Sequence, residues 1–176
     1  MKRNIALIGF MGTGKTAVGE VLAGKLGWRF VEMDRLIEDK AGRPIPDIFS
    51  REGETAFREM EIEVARKVAG GTKQVIACGG GVVLNWINID RLRETSRIVY
   101  LTASPRTILR RTAVDRNERP LLSVPDPAER IRELVRFRRP FYQRAADITV
   151  RTSRLRVDSV VEEIMARLRE DEGFSL

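Results

Sequence analysis

The stretch "GFMGTGKT", Gly9–Thr16, decides how the rest of the chain is read. The apolar run "NIALI" at Asn4–Ile8 leads into it, and the helix-like segment "AVGEVLAGKL" at Ala17–Leu26 leads out. Gly9 and Gly14 bracket four residues and are followed by Lys15 and Thr16, which is the P-loop pattern of strand, glycine-rich turn and helix. Glycine admits positive φ, and its missing side chain lets backbone N–H groups turn inward around phosphate oxygens. The helix that starts here adds unpaired N–H groups and the positive end of its macrodipole, and Lys15 adds a full charge near the outer phosphates. Thr16 offers its hydroxyl to Mg²⁺, a hard cation that prefers oxygen ligands. A plain glycine-rich turn is the alternative, and the full pattern in its strand-to-helix context argues against it.

A chain of 176 residues is expected to form one domain over 1–176, or one domain carrying a mobile insertion, and is long enough to enclose a core. No run of residues approaches the apolar length a membrane span needs, and the first strand begins without a signal peptide ahead of it, so a cytoplasmic location is expected. The single cysteine, Cys78, excludes an internal disulfide, and the absence of histidine removes the usual acid–base and zinc-binding side chain. Chemistry must then rest on Asp, Glu, Lys, Arg and metal. The net charge of +7 admits nucleic acid, an anionic membrane face or acidic small molecules as partners. Its distribution favours the last. The arginines are scattered among acidic residues, as in "RLRETSR" and "AERIRELVRFRR", so most are solvated helix-face charges and a few remain for anion recognition.

Apolar, strand-like runs occur at "NIALIG", "WRFVEM", "QVIAC", "RIVYLT" and "DITVR", separated by segments of helical spacing. The alternation predicts an α/β fold, a five-stranded parallel sheet flanked by helices on both faces. Helices are expected over Thr16–Leu26, Asp34–Ala41, about Glu54–Val68, Asn88–Glu94, Pro105–Thr112, Ala128–Ala145 and Arg156–Arg169. Between two of them, "AVDRNERPLLSVPDP" is polar, proline-bearing and without apolar periodicity, and it reads as a mobile lid over about 113–125.

Ligands of such a sheet gather at the carboxyl ends of the strands, where the first three strands carry the P-loop, "EMD" and "CGGG". Asp34 is either a helix N-cap or a carboxylate placed to accept a hydrogen bond and a proton from an acceptor hydroxyl. Glu32, two residues earlier, can reach a metal through water. Arg58 is either a surface ion pair within "ETAFREMEIEV" or a ligand contact. The triplet Gly79, Gly80 and Gly81 is either a tight turn or a place where backbone approaches a ligand closely.

These residues resemble the shikimate kinase family, small P-loop kinases of aromatic amino acid biosynthesis. The segments "GFMGTGKT", "FVEMD", "GRPIPDIF", "GETAFREME", "CGGGVV", "ERPLL" and "RRPFYQRAAD" occur in that family's order and with similar spacing, over nearly the whole chain. The resemblance implies a P-loop NTPase fold of the nucleoside-monophosphate-kinase-like type, with a substrate-binding region at about 32–61. It also implies transfer of a phosphoryl group from ATP to the shikimate 3-hydroxyl, with Mg²⁺ as cofactor. By the same resemblance, Gly12, Thr13, Gly14, Lys15, Thr16 and Ala17 bind ATP, Lys15 contacts the transferred phosphate and Thr16 binds the metal. Asp34 engages the acceptor hydroxyl, Arg58 and Arg138 hold the shikimate carboxylate, Gly80 contacts substrate through its backbone, and Arg119 closes onto the ATP phosphates. Arg111, beside Arg110, matches an adenine-stacking arginine, and Arg154 matches a second adenine contact. One departure stands out: Glu32 occupies the first of two positions where the family usually has aspartates, which bears on metal use. ATP and shikimate are the expected partners, with no nucleic acid and no membrane, and a monomer is expected. Rival readings are a gluconate or nucleoside monophosphate kinase, and a non-catalytic nucleotide-dependent module.

Overall fold

Strand β1, Asn4–Ile8, is buried at every position, because it lies at the centre of the sheet. The computed structural model describes residues 2–114, 120–171 and 174. After β1 come α1 (Lys15–Leu26), β2 (Arg29–Glu32), α2 (Met33–Ala41), α3 (Ile45–Ala69) and β3 (Gln74–Ala77). The second half consists of α4 (Trp86–Thr95), β4 (Ser96–Thr102), α5 (Pro105–Ala113), α6 (Pro127–Ala145), β5 (Ile148–Arg151) and α7 (Val157–Arg169), with short 3-10 turns at Val82–Leu84 and Pro120–Leu122. The five strands are ordered β2-β3-β1-β4-β5, and every pairing is parallel. The expected five-stranded parallel sheet is therefore the one observed.

Strand alternation sorts the core into two layers. Ala6 and Ile8 of β1 face α3, α4 and α6 through Phe57, Val64, Ile89 and Tyr142. Ile5 and Leu7 face α1 and α7 through Val18, Leu22, Val161 and Ile164. Burial on both faces explains why the strands read as continuous apolar runs rather than alternating ones.

The register brings Leu7 beside Ala77 and Ile8 beside Tyr100. The residues that follow β1, β3 and β4 thus emerge at one edge of the sheet, where ligands of an open parallel sheet collect. Cys78, first after β3, donates its backbone N–H to the Leu7 carbonyl at 3.0 Å, so the triple glycine starts beside the P-loop.

Two helices start earlier than expected. α3 starts at Ile45 rather than near Glu54, with Pro44 of "GRPIPDIF" as its N-cap and Pro46 in its first turn. Proline at the head of a helix costs nothing in hydrogen bonds, since N–H groups of the first turn have no partner inside the helix. Gly53, at φ 82 and ψ 176, interrupts the helix, and this break is the boundary the sequence pattern detects. α4 likewise begins at Trp86, where the Asn85 side chain accepts from the Ile87 N–H at 3.1 Å, a local cap that extends the helix beyond its apolar period. No helix among the described residues is long and apolar enough to cross a membrane.

Candidate active site

The phosphate loop is shaped by glycine conformation and by carbonyls turned away from its centre. Gly12 and Gly14 take φ of 73 and 96, values that side-chain-bearing residues rarely adopt. Lys15 Nζ donates to the carbonyls of Gly9 at 2.9 Å and Phe10 at 3.0 Å, so its charge lies across the mouth of the loop. The Gly12 carbonyl accepts from Arg111 Nη1 at 3.1 Å and the Thr13 carbonyl from Thr152 Oγ1 at 2.8 Å.

At the first turn of α1, Thr16 Oγ1 donates to Glu32 Oε1 at 2.6 Å. Since the hydroxyl donates its only proton to the carboxylate, its lone pairs remain available to a cation. No group of three or more His, Cys, Asp or Glu side chains that could hold a metal occurs among the described residues. The oxygen donors present fit a Mg²⁺ ion that takes its other ligands from phosphate and water, the usual manner of binding this ion.

The acceptor side is built from side chains around Gly79–Gly81. Asp34 does not cap its helix: the N-cap of α2 is Glu32, which makes no side-chain capping bond, and Asp34 lies in the first turn. A Cβ on Gly79 would lie 2.7 Å from Asp34 Oδ1 and 3.2 Å from Glu61 Oε1. On Gly81 it would lie 2.6 Å from Arg58 Nη1, and on Gly80 it would be 3.6 Å from the Met11 nitrogen and 3.9 Å from Arg138 Nη1. None of these three glycines has a positive φ. At Gly79 and Gly81 a Cβ would push away the charged side chains that crowd the backbone, so their positions and not a turn conformation call for glycine. Only glycines let Asp34 and Arg58 come this close to the end of β3.

Both arginines are held in place. Arg58 donates to Glu61 Oε2 at 3.0 Å and, through Nε and Nη2, to Glu54 Oε1 at 3.2 and 3.0 Å. Glu61 is 1% exposed, and Asn88 Nδ2 reaches its Oε2 at 3.4 Å. Burial raises the Glu61 pKa above the ordinary carboxylate range, with Arg58 opposing the rise. For Arg58, burial acts to lower the pKa, and the carboxylates of Glu61 and Glu54 more than offset it. Ion pairing with Glu54 and Glu61 is thus real, but it fixes a guanidinium beside Gly81 instead of decorating a surface.

Arg138 is 5% exposed. Its Nη1 donates to the Gly80 carbonyl at 3.3 Å, and its guanidinium lies 5.6 Å over the Phe10 ring. Tyr142 also donates to the Gly80 carbonyl, and its ring stacks on Tyr100 at 4.9 Å. Arg138 Nε has no hydrogen-bond partner among the described residues. A buried cation left with an unused donor fits a pocket for an anion.

Of the residues expected at the site, the structure brings Lys15, Thr16, Glu32, Asp34, Arg58, Gly79–Gly81 and Arg138 to one edge of the sheet. Arg111 is the inward member of its pair. Its pKa is lowered by burial and then by Arg110. Arg154 is exposed in the turn before α7. Arg119 lies outside the described residues, as does the middle of the expected lid. Sequence reading passed over Glu61, Asn88, Tyr142 and Thr152. Glu61 had a readable signal, an acid at i+3 from Arg58 on one helix face.

A family model described as shikimate kinase matches residues 11–169. The chain is 49% identical over 168 residues to the shikimate kinase of Symbiobacterium thermophilum, covering 95% of this chain and 97% of that protein. It is 44% identical to the shikimate kinase of Moorella thermoacetica, covering 96% of each. Among solved structures, shikimate kinase from Acinetobacter baumannii in complex with shikimate superimposes with a TM-score of 0.93 at 36% identity, covering 98% of this chain and 96% of that one.

Proposed function

The chain belongs to the shikimate kinase family, and from that premise we propose that it transfers the γ-phosphoryl group of ATP to the 3-hydroxyl of shikimate, releasing ADP, as a step of aromatic amino acid biosynthesis. The observation that carries this reading is the convergence of Asp34, Arg58 and Arg138 on three consecutive glycines beside the P-loop. An acid with hydroxyls needs such a combination: cations for its carboxylate, and an acceptor for the proton of the attacking hydroxyl.

Arg58 and Arg138 hold the carboxylate, for which a planar guanidinium is geometrically matched. That grip sets the acceptor hydroxyl against Asp34. Asp34 accepts its hydrogen bond and then its proton, while the hydroxyl oxygen bonds to the γ-phosphorus and the bond from that phosphorus to the β,γ-bridging oxygen breaks. Lys15 and the loop N–H groups face the charge that spreads over the phosphoryl oxygens. Thr16, oriented by Glu32, would hold Mg²⁺, which when bound neutralises phosphate charge. Arg119, outside the described residues, is the lid cation this reading calls for, and Arg111 and Arg154 lie on the adenine side. A cytoplasmic monomer is part of the same proposal.

The test is ADP release from MgATP with shikimate, quinate, gluconate, nucleoside monophosphates or no acceptor. Stimulation by shikimate alone, with the phosphorylated product identified by mass, is the expected outcome. Stimulation by another acceptor and not by shikimate would overturn the roles given to Arg58, Arg138 and the glycines.

A further inference from the structure

We propose that Thr152 is a positioning residue for the nucleotide phosphates, acting from the far edge of the sheet on the phosphate loop. Thr152 follows β5 and is 3% exposed. Its backbone N–H is fixed to the Thr102 carbonyl at 2.8 Å, which anchors it to the end of β4. Its hydroxyl donates to the Thr13 carbonyl at 2.8 Å, with the Thr102 carbonyl a more distant alternative at 3.4 Å. The same hydroxyl accepts from Arg111 Nη1 at 3.1 Å, and the Thr152 carbonyl accepts from Arg111 Nη2 at 2.9 Å. Arg111 Nη1 also reaches the Gly12 carbonyl at 3.1 Å. One threonine and one arginine thus hold two successive loop carbonyls.

The consequence follows from the planar trans peptide, in which C=O and the next N–H point in opposite directions. Holding the Thr13 carbonyl outward turns the Gly14 N–H inward, and holding the Gly12 carbonyl fixes the neighbouring peptide, whose Thr13 N–H closes the turn onto the Phe10 carbonyl at 3.3 Å. A loop of backbone donors binds an anion in proportion to how well those donors are already turned toward it. Glycines make the required φ accessible but also make other φ accessible. The bonds from Thr152 and Arg111 select among them. The proposal rests on the reading that the loop holds nucleotide phosphates.

The experiment compares wild type, Thr152→Val and Thr152→Ser by calorimetric titration with MgADP, with inorganic tripolyphosphate plus Mg²⁺, and with shikimate. Tripolyphosphate has no adenine, so it reports the loop alone. Thr152→Val keeps the shape and removes the hydroxyl. It is expected to weaken MgADP and tripolyphosphate alike, about tenfold, the scale of one buried hydrogen bond, with shikimate affinity changed less than about twofold. Thr152→Ser is expected to restore both phosphate ligands. Unchanged phosphate affinities in Thr152→Val would overturn the proposal. So would weakening of MgADP with tripolyphosphate unaffected, or an equal loss of all three ligands that serine does not restore. If the valine variant does not fold, Thr152→Cys replaces the hydroxyl with a weak donor, and full retention of both phosphate affinities would again overturn it. A wild-type protein that binds neither phosphate ligand would bring down the nucleotide reading, and this proposal with it.

Discussion

The two halves of the candidate site are built on opposite principles. The nucleotide half is a backbone device: glycines at φ of 73 and 96, carbonyls held outward, and one lysine lying across the loop. The acceptor half is a side-chain device, in which Asp34, Arg58 and Arg138 come from three different helices onto a strip of backbone kept bare by glycine. A phosphate chain is the same in every nucleotide and can be met by a local loop. A particular hydroxy acid needs charges at fixed separations, and those come only from elements distant in sequence. The difference teaches where specificity resides, since the loop admits polyphosphates in general while the helices choose the acceptor.

Substitutions that break one half and leave the other intact sharpen the contrast. The largest effect is expected for Asp34→Asn, which keeps shape but cannot take a proton. Its kcat should fall by about 10²- to 10⁴-fold, with MgATP affinity by calorimetry unchanged. Next are Arg58→Lys and Arg138→Lys, which replace a planar fork with a point charge. Each should raise KM for shikimate by roughly 10- to 100-fold in steady-state assays, with KM for ATP moving less than about twofold.

A smaller effect concerns stability and pH. Because burial raises the Glu61 pKa above its ordinary 4.5, the folded protein binds that proton more tightly than the unfolded chain. The contribution of Glu61 is therefore fully present below the unfolded value and is lost as pH rises through the folded value. Denaturant melts at about pH 4 and pH 8 should show wild type losing stability relative to Glu61→Gln as the pH rises. The least effect is expected for Arg154→Ala. Its side chain is exposed, so KM for ATP should shift by less than about threefold.

The sequence reveals these two halves unequally. The phosphate loop is legible because its glycines, Lys15 and Thr16 are contiguous and each is demanded by local geometry. The five strands are legible because burial on both faces leaves long apolar runs. Asp34, Arg58 and Arg138 are legible through family resemblance, but the reason for the glycine triplet is not. Its demand is crowding by Asp34 and Arg58, which arrive from other helices, whereas the sequence alone admits either a tight turn or a close approach of backbone to ligand. The first part of α3 was hidden by prolines that are harmless at a helix start. Thr152 was hidden more deeply: it stands 139 residues from the Thr13 carbonyl it bonds, and no spacing rule connects them.

The strand order also bears on how the chain matures. β1 is made first, yet its two neighbours in the sheet are β3 and β4, and Asn4 pairs with Gln74 and Ser96. The loop that follows β1 is completed later still, by Thr152 after the last strand. Such pairing of residues distant in sequence slows folding, and the phosphate loop is fully held only once β5 has joined the sheet. During synthesis, a chain that has emerged only through β4 contains every residue of the nucleotide motif but not the bond that holds its Thr13 carbonyl. Nucleotide affinity is therefore expected to reach its full value only with the completed fold.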